Sequence, residues 1–439
     1  MSYILSADFG TSSLKISILD HNLNLIKSTK VNYAYEVKKG KEIEIAPETL
    51  LQAFKKGIEK LGQEYAEQID YVICDTLCPS LIAMDQDGNP LYPAILHLDR
   101  RSTKQARKAL QIVGKDNFLK INGNLPFPGG ISLTSVLWLK ENHPDLYQKT
   151  SVLGHFNSFL QKFMVGKYLI DQTHASFTGL YETLKWGNWS KELCKELNIE
   201  LSKLPEIVDS NQITGGLKKE ASWFLGLREG IPVLMGANDT ATAALGAGAT
   251  EEGQILNISG SNEIITVTLE RPSPHEKVYL RTHAVRNRWL LLAITVGGGA
   301  LEWFRKEFYR EISREEFYEK YFPEVVKRAG KPRARFYPYL AGDRHSINQR
   351  RARFSNLTLD TTREEMLCAL LFGIFEPINL ILSTYRDQVK FKEEVALTGG
   401  MVNEAFLEFK KKIFPEFVFK TVRECVAIGN GKLALSSKS

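Results

Sequence analysis

Apolar and polar positions alternate from the start of the chain. Ile4-Leu5-Ser6-Ala7-Asp8 predicts a strand, Gly10-Thr11-Ser12-Ser13 a turn of small residues, and Leu14-Lys15-Ile16-Ser17-Ile18-Leu19 a second strand. Asn22 marks another turn before Leu23-Asn24-Leu25-Ile26, completing a three-stranded meander. The pattern returns about half a chain later. Gln254-Ile255-Leu256-Asn257-Ile258 predicts a strand, Ser259-Gly260-Ser261-Asn262 a small-residue turn, and Glu263-Ile264-Ile265-Thr266-Val267-Thr268 a strand again. A duplicated strand–turn–strand unit predicts two similar domains facing each other, with both turns pointing into one cleft.

Helical and extended patterns alternate between the copies. Residues 47–67 predict a helix, Tyr71-Val72-Ile73-Cys74 a strand, and residues 133–163 mainly helix. Ile231-Pro232-Val233-Leu234-Met235 predicts a strand and residues 239–249 an Ala-rich helix. Residues 290–296 predict a strand ahead of Gly297-Gly298-Gly299, with a helix from Ala300; Val395-Ala396-Leu397-Thr398 is a strand ahead of Gly399-Gly400, with a helix starting near Asn403. This alternation is α/β architecture. The charged stretch 314–331 predicts a surface excursion, and Ser436-Ser437-Lys438-Ser439 a short low-complexity tail.

Length sharpens the picture: 439 residues exceed what one core ordinarily serves. The expected division is 1–240, carrying the first turn and Asp239, and 241–439, carrying the second. Composition is that of a soluble globular protein, 43% hydrophobic and 25% charged. A net charge of +6 from 57 basic and 51 acidic residues suits phosphorylated ligands, and with no basic block interleaved with aromatics it does not indicate a nucleic-acid protein. No apolar run reaches the roughly 20 residues that span a bilayer. The start lacks the features of a signal peptide, so no membrane role and a cytoplasmic location are expected. Five scattered cysteines fit a reducing compartment, and no second pair with zinc spacing follows Cys74 and Cys78.

Several segments carry candidate chemistry. In the first turn Gly10 permits close approach of an anion, successive N–H groups form an anion-binding concavity, Thr11 and Ser12 add hydroxyl donors, and Asp8 stands where it could hold a Mg2+ or its waters. An ordinary hairpin turn with a capping Asp has the same residues; its repetition at Gly260 and Ser261 favours a nucleotide held between domains. Asp239 follows a strand and starts a helix. That suits a helix cap and equally a general base at the carboxyl ends of the strands, and the residues alone do not separate the two. Gly298, Gly299, Gly399 and Gly400 each lie between strand and helix. Asp99 and Arg100 pair an acceptor with donors, as polyols require, though a solvated charge cluster would look alike.

Taken in order, these segments resemble the FGGY carbohydrate kinase family of the actin/hexokinase/Hsp70-like superfamily, over nearly the whole chain. Asp8-Phe9-Gly10-Thr11-Ser12-Ser13-Leu14-Lys15 is similar to the first phosphate motif, and Asp87-Gly88-Asn89-Pro90-Leu91 through Asp99-Arg100-Arg101 to the substrate segment. Residues 171–181 with Trp189-Ser190 resemble a long family signature, and Gly236-Ala237-Asn238-Asp239 the catalytic-Asp motif. Pro338-Tyr339-Leu340-Ala341-Gly342-Asp343-Arg344 is similar to Pro-Tyr-Leu-x-Gly-Glu-Arg, and Leu397-Thr398-Gly399-Gly400 to the adenosine motif, with Asn403 near the adenine.

The resemblance implies two actin-like (ribonuclease H-like) domains, each a mixed β-sheet flanked by helices, with the active site between them. It implies transfer of the ATP γ-phosphate to a sugar or polyol hydroxyl, Asp239 taking the hydroxyl proton. Mg2+ would sit near Asp8, mostly through water, with Asp239 as the second metal-side carboxylate. Gly10, Thr11, Ser12, Lys15, Gly260 and Ser261 would position phosphates. Pro79, His97, Asp99, Arg100, Asn238 and Asp239 would face the substrate, and a homodimer is the assembly implied. Leu77-Cys78-Pro79-Ser80 stands where many relatives have Gln-x-His-Gly, His97 where many have Trp, and Ser259-Gly260-Ser261-Asn262 where Gly-Thr-Ser-Gly is usual; Gly429-Asn430-Gly431 replaces an Ala-rich helix. The expected acceptor is a ketopentose such as xylulose or ribulose, with glycerol or another polyol and a sugar acid such as gluconate behind it. A sensor that binds sugar and nucleotide without turnover is disfavoured by the retained Asp8 and Asp239. An actin-like assembly ATPase is disfavoured by the substrate segment.

Overall fold

The computed structural model describes residues 2–437; Met1, Lys438 and Ser439 lie outside them. Two six-stranded sheets carry the molecule, and both are built on one plan. In the first, the strands run in the order Ile213–Gly216, Pro232–Leu234, Ile69–Thr76, Tyr3–Phe9, Ser13–Leu19, Leu25–Asn32. In the second the order is Tyr279–Thr282, Trp289–Val296, Asn262–Leu269, Ile255–Ser259, Glu394–Thr398, Val418–Thr421. The duplicated hairpin supplies two antiparallel strands in each sheet, a third antiparallel strand follows, and parallel strands pair on the other side. Because the strands point the same way, the turns at 10–13 and 259–262 reach one side of their sheets, where ligands bind in open α/β folds.

The helices cover the sheets with apolar stripes at helical spacing. Pro47–Leu61 buries Leu50, Ala53, Phe54, Ile58 and Leu61 over the first sheet. The predicted single helix to residue 67 breaks at Gly62 into this helix and a short turn, Gln63–Ala66. The stretch 133–163 also divides, with a strand at Val152–Gly154 inside it. That strand joins a five-stranded antiparallel sheet with Glu36–Lys38, Glu42–Ile45, Ala94–Leu96 and Ser80–Met84. This insertion holds the substrate segment that follows Ala94–Leu96.

The stretch 314–331 is not the surface excursion expected. It folds into helical turns at Arg314–Glu316, Phe317–Tyr321 and Phe322–Arg328 that bury Phe317, Phe322, Val325 and Val326 in the second core. Its charged residues face outward and mask that apolar stripe in the sequence. The helix Arg363–Tyr385 has 23 residues, and an 18-residue window within it has a mean hydropathy of 1.9, enough by length and composition to cross a membrane. Glu376 and Pro377 interrupt its apolar run in the sequence, and Leu370, Leu371, Ile374, Phe375 and Ile378 pack inside the second core.

All strands of the first large sheet precede residue 240 and all strands of the second follow it. The last helix, Cys425–Leu435, returns to the first half, against Asp239–Gly246, Tyr3–Phe9 and Ile69–Thr76.

Candidate active site

A cavity of about 1210 Å³ opens between the two sheets. Its walls include Asp8, Gly10, Thr11, Ser12 and Lys15 from the first hairpin and Gly260, Ser261 and Asn262 from the second. The two turns are tied alike: Gly10 N–H donates to Ser13 O at 3.0 Å and Gly260 N–H to Asn262 O at 2.9 Å. The helices Asp239–Gly246, Gly298–Phe308 and Cys425–Leu435 present N-terminal residues to the same space. Their positive ends suit phosphate oxygens.

Asp239 is freed from capping by its neighbour. The N-cap is Asn238, whose side-chain oxygen accepts from Ala241 N–H at 2.9 Å. Asn238 also donates its own N–H to Thr173 Oγ1 at 2.8 Å; it is buried and stands behind the cavity wall. Asp239 therefore enters the cavity as the first helical residue, its carboxylate held by Thr240 N–H at 2.7 Å. Burial holds the Asp239 carboxyl above the usual carboxylate range, against the pull of the Thr240 hydrogen bonds.

Across from it, burial and then the charge of Asp239 raise the Asp8 pKa to about 6. A third carboxyl belongs to this group. Asp75 lies one residue before the end of the strand beside Asp8, at the same register, and is fully buried. Burial first, then the charges of Asp8 and Asp239, hold it well above the usual range. Asn430 of the last helix donates to it at 2.5 Å and to Ser6 Oγ at 2.9 Å. Sequence reasoning missed both residues. The available signal was the pair of strands closing on Ala7-Asp8 and Cys74-Asp75.

Asp8 and Asp239, both on the cavity wall, offer the oxygen donors that a divalent cation takes. Among the described residues no three His, Cys, Asp or Glu side chains converge on one point. The residues therefore fit a cation held by Asp8 with waters and phosphate oxygens rather than a closed protein cage. Lys15 is ion-paired with Glu424 at the start of the last helix.

The glycine run also packs against the second turn. Gly298 N–H donates to Gly260 O at 2.9 Å and Gly299 N–H to Ser261 O at 3.0 Å, so the run braces the second turn. A Cβ on Gly298 would lie 2.4 Å from Met401 Cγ. Gly299, Gly399 and Gly400 line the main cavity; Gly298 lines a smaller adjoining one. Asn403 caps Glu404–Ile413 by accepting from Phe406 N–H at 2.9 Å and borders another small cavity with Arg314, Tyr318 and Met401.

The substrate segment is split. His97 lines the main cavity. Asp99 does not: its carboxylate accepts from Ile43 N–H at 2.6 Å and from Arg101, and it shapes the loop. That departs from the expected sugar contact, and it follows from burial, where a carboxylate takes the cation nearest to it. Arg100 is buried, with Nη1 donating to the carbonyls of His97 at 2.9 Å and Asp99 at 2.8 Å. Pro79 is buried outside the cavity wall, while Cys78 before it lies 3.3 Å from His155 Nδ1. Asp343 pairs with Arg350 at 2.5 Å.

The model of the FGGY family of carbohydrate kinases, N-terminal domain, matches residues 3–246, more than half of the chain. A xylulose kinase of Staphylococcus xylosus is 27% identical over 424 residues, covering 94% of this chain and 86% of that protein. A gluconokinase of Bacillus subtilis is 25% identical over 385 residues, covering 85% and 75%. The solved structure of a ligand-bound xylulose kinase from Lactobacillus acidophilus superimposes with a TM-score of 0.88 at 22% identity, covering 99% of this chain and 89% of that one. That likeness gives the fold, the actin-like arrangement of two sheets around a cleft. The chain belongs to the FGGY family of carbohydrate kinases, and is a carbohydrate kinase.

Proposed function

We propose that this kinase transfers the ATP γ-phosphate to a hydroxyl of a small polyhydroxylated acceptor, with Asp239 as the base. The observation that carries the reading is one cavity holding Asp239, Asp8 and two opposed small-residue turns. The acceptor hydroxyl gives its proton to Asp239, its oxygen bonds to the γ-phosphorus, and the bond from that phosphorus to the bridging oxygen breaks, releasing ADP. Thr11, Ser12 and Ser261 hold phosphate oxygens, and Gly400 leaves room for the nucleoside. A Mg2+ held near Asp8 would supply charge neutralisation on the phosphates. The raised Asp239 carboxyl suits a base that takes the proton of the acceptor hydroxyl. The two halves divide near residue 240, with the last helix crossing back.

The relatives' names put a ketopentose such as xylulose first. A sugar acid such as gluconate is the second reading, favoured by the gluconokinase among the relatives. ADP release with ATP and Mg2+ against ketoses, polyols and sugar acids tests the proposal. One acceptor class stimulating release well above the acceptor-free rate is expected; bound ATP with no stimulation by any of them would overturn it.

A further inference from the structure

The loop that delivers Asp239 to the cavity runs from residue 235 to residue 238, between the strand Pro232–Leu234 and the helix Asp239–Gly246. It is pressed against its neighbour. Gly236 has a φ of +74°, and a Cβ there would stand 1.9 Å from the carbonyl oxygen of Cys74. Two N–H groups of the loop are met from outside it, as buried donors must be. Gly236 N–H donates to Ser210 O at 2.9 Å, and Asn238 N–H to Thr173 Oγ1 at 2.8 Å.

Both partners lead to one carboxylate. Asp171 Oδ2 accepts from Thr173 Oγ1 at 2.5 Å and from Ser210 Oγ at 2.8 Å. Thr173 has a single hydroxyl proton and gives it to Asp171, so a lone pair of the same oxygen is turned to Asn238 N–H. The other carboxylate oxygen, Oδ1, accepts from His174 Nδ1, and His174 Nε2 lies 2.8 Å from Thr76 Oγ1. Thr76 in turn pairs with Asn238 across a parallel bridge. Three routes therefore run from Asp171 to the loop ahead of Asp239. Asp171, Thr173 and His174 are all 0% exposed, and none of them lines the cavity.

Asp171 is also the N-cap of the short helix Gln172–Ala175, accepting from Thr173 N–H at 2.9 Å. Capping needs only backbone N–H groups. The bonds from two hydroxyls and an imidazole are additional, and all of them lead toward Asp239. Bonds to an ionised carboxylate are strong ones, and a dry interior makes them hold their geometry. Burial pushes the Asp171 carboxyl up, but His174 and the hydroxyl donors outweigh it and hold the group below the usual carboxylate range. We propose that Asp171 is a positioning residue for the reaction: through Thr173 it fixes Asn238, and through Asn238 the place of Asp239 in the cavity. The proposal rests on the reading of Asp239 as the base.

The test measures kcat and KM in full-length variants, for ATP and for whichever of D-xylulose, glycerol and D-gluconate drives ADP release in the parent. Folded protein is counted by nucleotide titration. Thr173→Val keeps the side-chain shape and removes the hydroxyl. Its kcat per folded molecule is expected to fall ~10- to 100-fold while both KM values stay within ~2-fold, because a small displacement of a reacting group costs rate rather than binding. Thr173→Ser keeps the hydroxyl and should bring kcat back to within ~3-fold of the parent. A residue that served stability alone would lower the urea midpoint and leave kcat per folded molecule unchanged. That result would overturn the proposal, and so would KM values rising as far as kcat falls. Should the valine variant not fold, Ser210→Ala loosens the other end of the loop. A ~3- to 10-fold fall in kcat at unchanged KM is expected there, and a parent-like kcat would overturn the proposal. Asp239→Asn, run alongside, separates the two readings. Near-normal turnover in it would remove the base and the proposal together; lost turnover in it beside a parent-like Thr173→Val would remove the proposal alone.

Discussion

The two hairpins sit alike in their sheets, each between a third antiparallel strand and a parallel one, yet they treat acidic residues in opposite ways. In the first, Asp8 precedes the turn, faces the cavity and has further acids, Asp75 and Asp239, for neighbours. In the second, Glu263 follows the turn, is 1% exposed, and is matched by Lys410, with Asn257 and Ser259 completing its hydrogen bonds. One copy keeps negative charge crowded next to the ligand space. The other neutralises it inside its own core. Duplication supplies a scaffold twice, and the placement of one carboxylate before or after the turn separates a chemical half from a supporting half.

The largest expected effect breaks the first half. Asp239→Asn should keep the fold and ATP binding, because Asn238 and not Asp239 caps the helix. Turnover should fall at least about 10²-fold, the low end for loss of a general base. ADP release and nucleotide titration on the same preparation check both statements; near-normal turnover would remove Asp239 from the mechanism.

The matching disruption in the second half is one of stability. Lys410→Met leaves Glu263 buried without its cation and should cost about 3–5 kcal/mol in urea unfolding. Adding Glu263→Gln should return part of that loss, since both charges are then gone. A double variant as unstable as the single would mean the lysine acts through packing against Phe375 and Phe406, whose rings it approaches at 5.0 and 5.2 Å.

Asp8 sharpens the contrast through pH. Its carboxyl titrates near 3.8 when unfolded and about 6 when folded, so the folded state holds the proton more tightly. Without divalent cations, stability contributed by this group is fully present below about pH 4 and is lost as pH rises through 6. Such a displacement is worth at most about 3 kcal/mol, shared with the acids coupled to it. Asp8→Asn in EDTA should therefore be more stable than the parent at pH 7 by roughly 1–3 kcal/mol, and no more stable at pH 4. Equal stability at both values would mean that the crowding of Asp8 carries no cost.

Much of this was legible in the chain because it is local. Period-two runs gave both hairpins, and small-residue turns gave the phosphate-facing edge. What stayed hidden depends on long-range contact. Asp75 looks like any strand-end acid until its register beside Asp8 is known. Gly429-Asn430-Gly431 reads as a break, yet lies inside the helix Cys425–Leu435 and brings Asn430 to Asp75. Asp99 looks like a sugar ligand because its competitor for hydrogen bonds, Ile43 N–H, is 56 residues away. Arg281 sits in the buried strand Tyr279–Thr282, where nothing in the local pattern says that it reaches the carbonyls of Ser176 and Gly130.

The smallest effect concerns an ion pair at the cavity wall between the first hairpin and the start of the last helix. Lys15 and Glu424 are 37% and 30% exposed, so water screens them and their pairing should add less than about 1 kcal/mol to stability. Its consequence is for nucleotide binding. A lysine held by Glu424 must leave that carboxylate before it can meet a phosphate. Glu424→Gln should therefore leave the urea midpoint almost unchanged while lowering KM for ATP by about 2- to 5-fold, a few tenths of a kcal/mol to ~1 kcal/mol. Lys15→Met should raise that KM. If neither substitution moves it, Lys15 belongs with Lys410 as a residue that holds its half of the molecule together, and the contrast between the two hairpins rests on Asp8 alone.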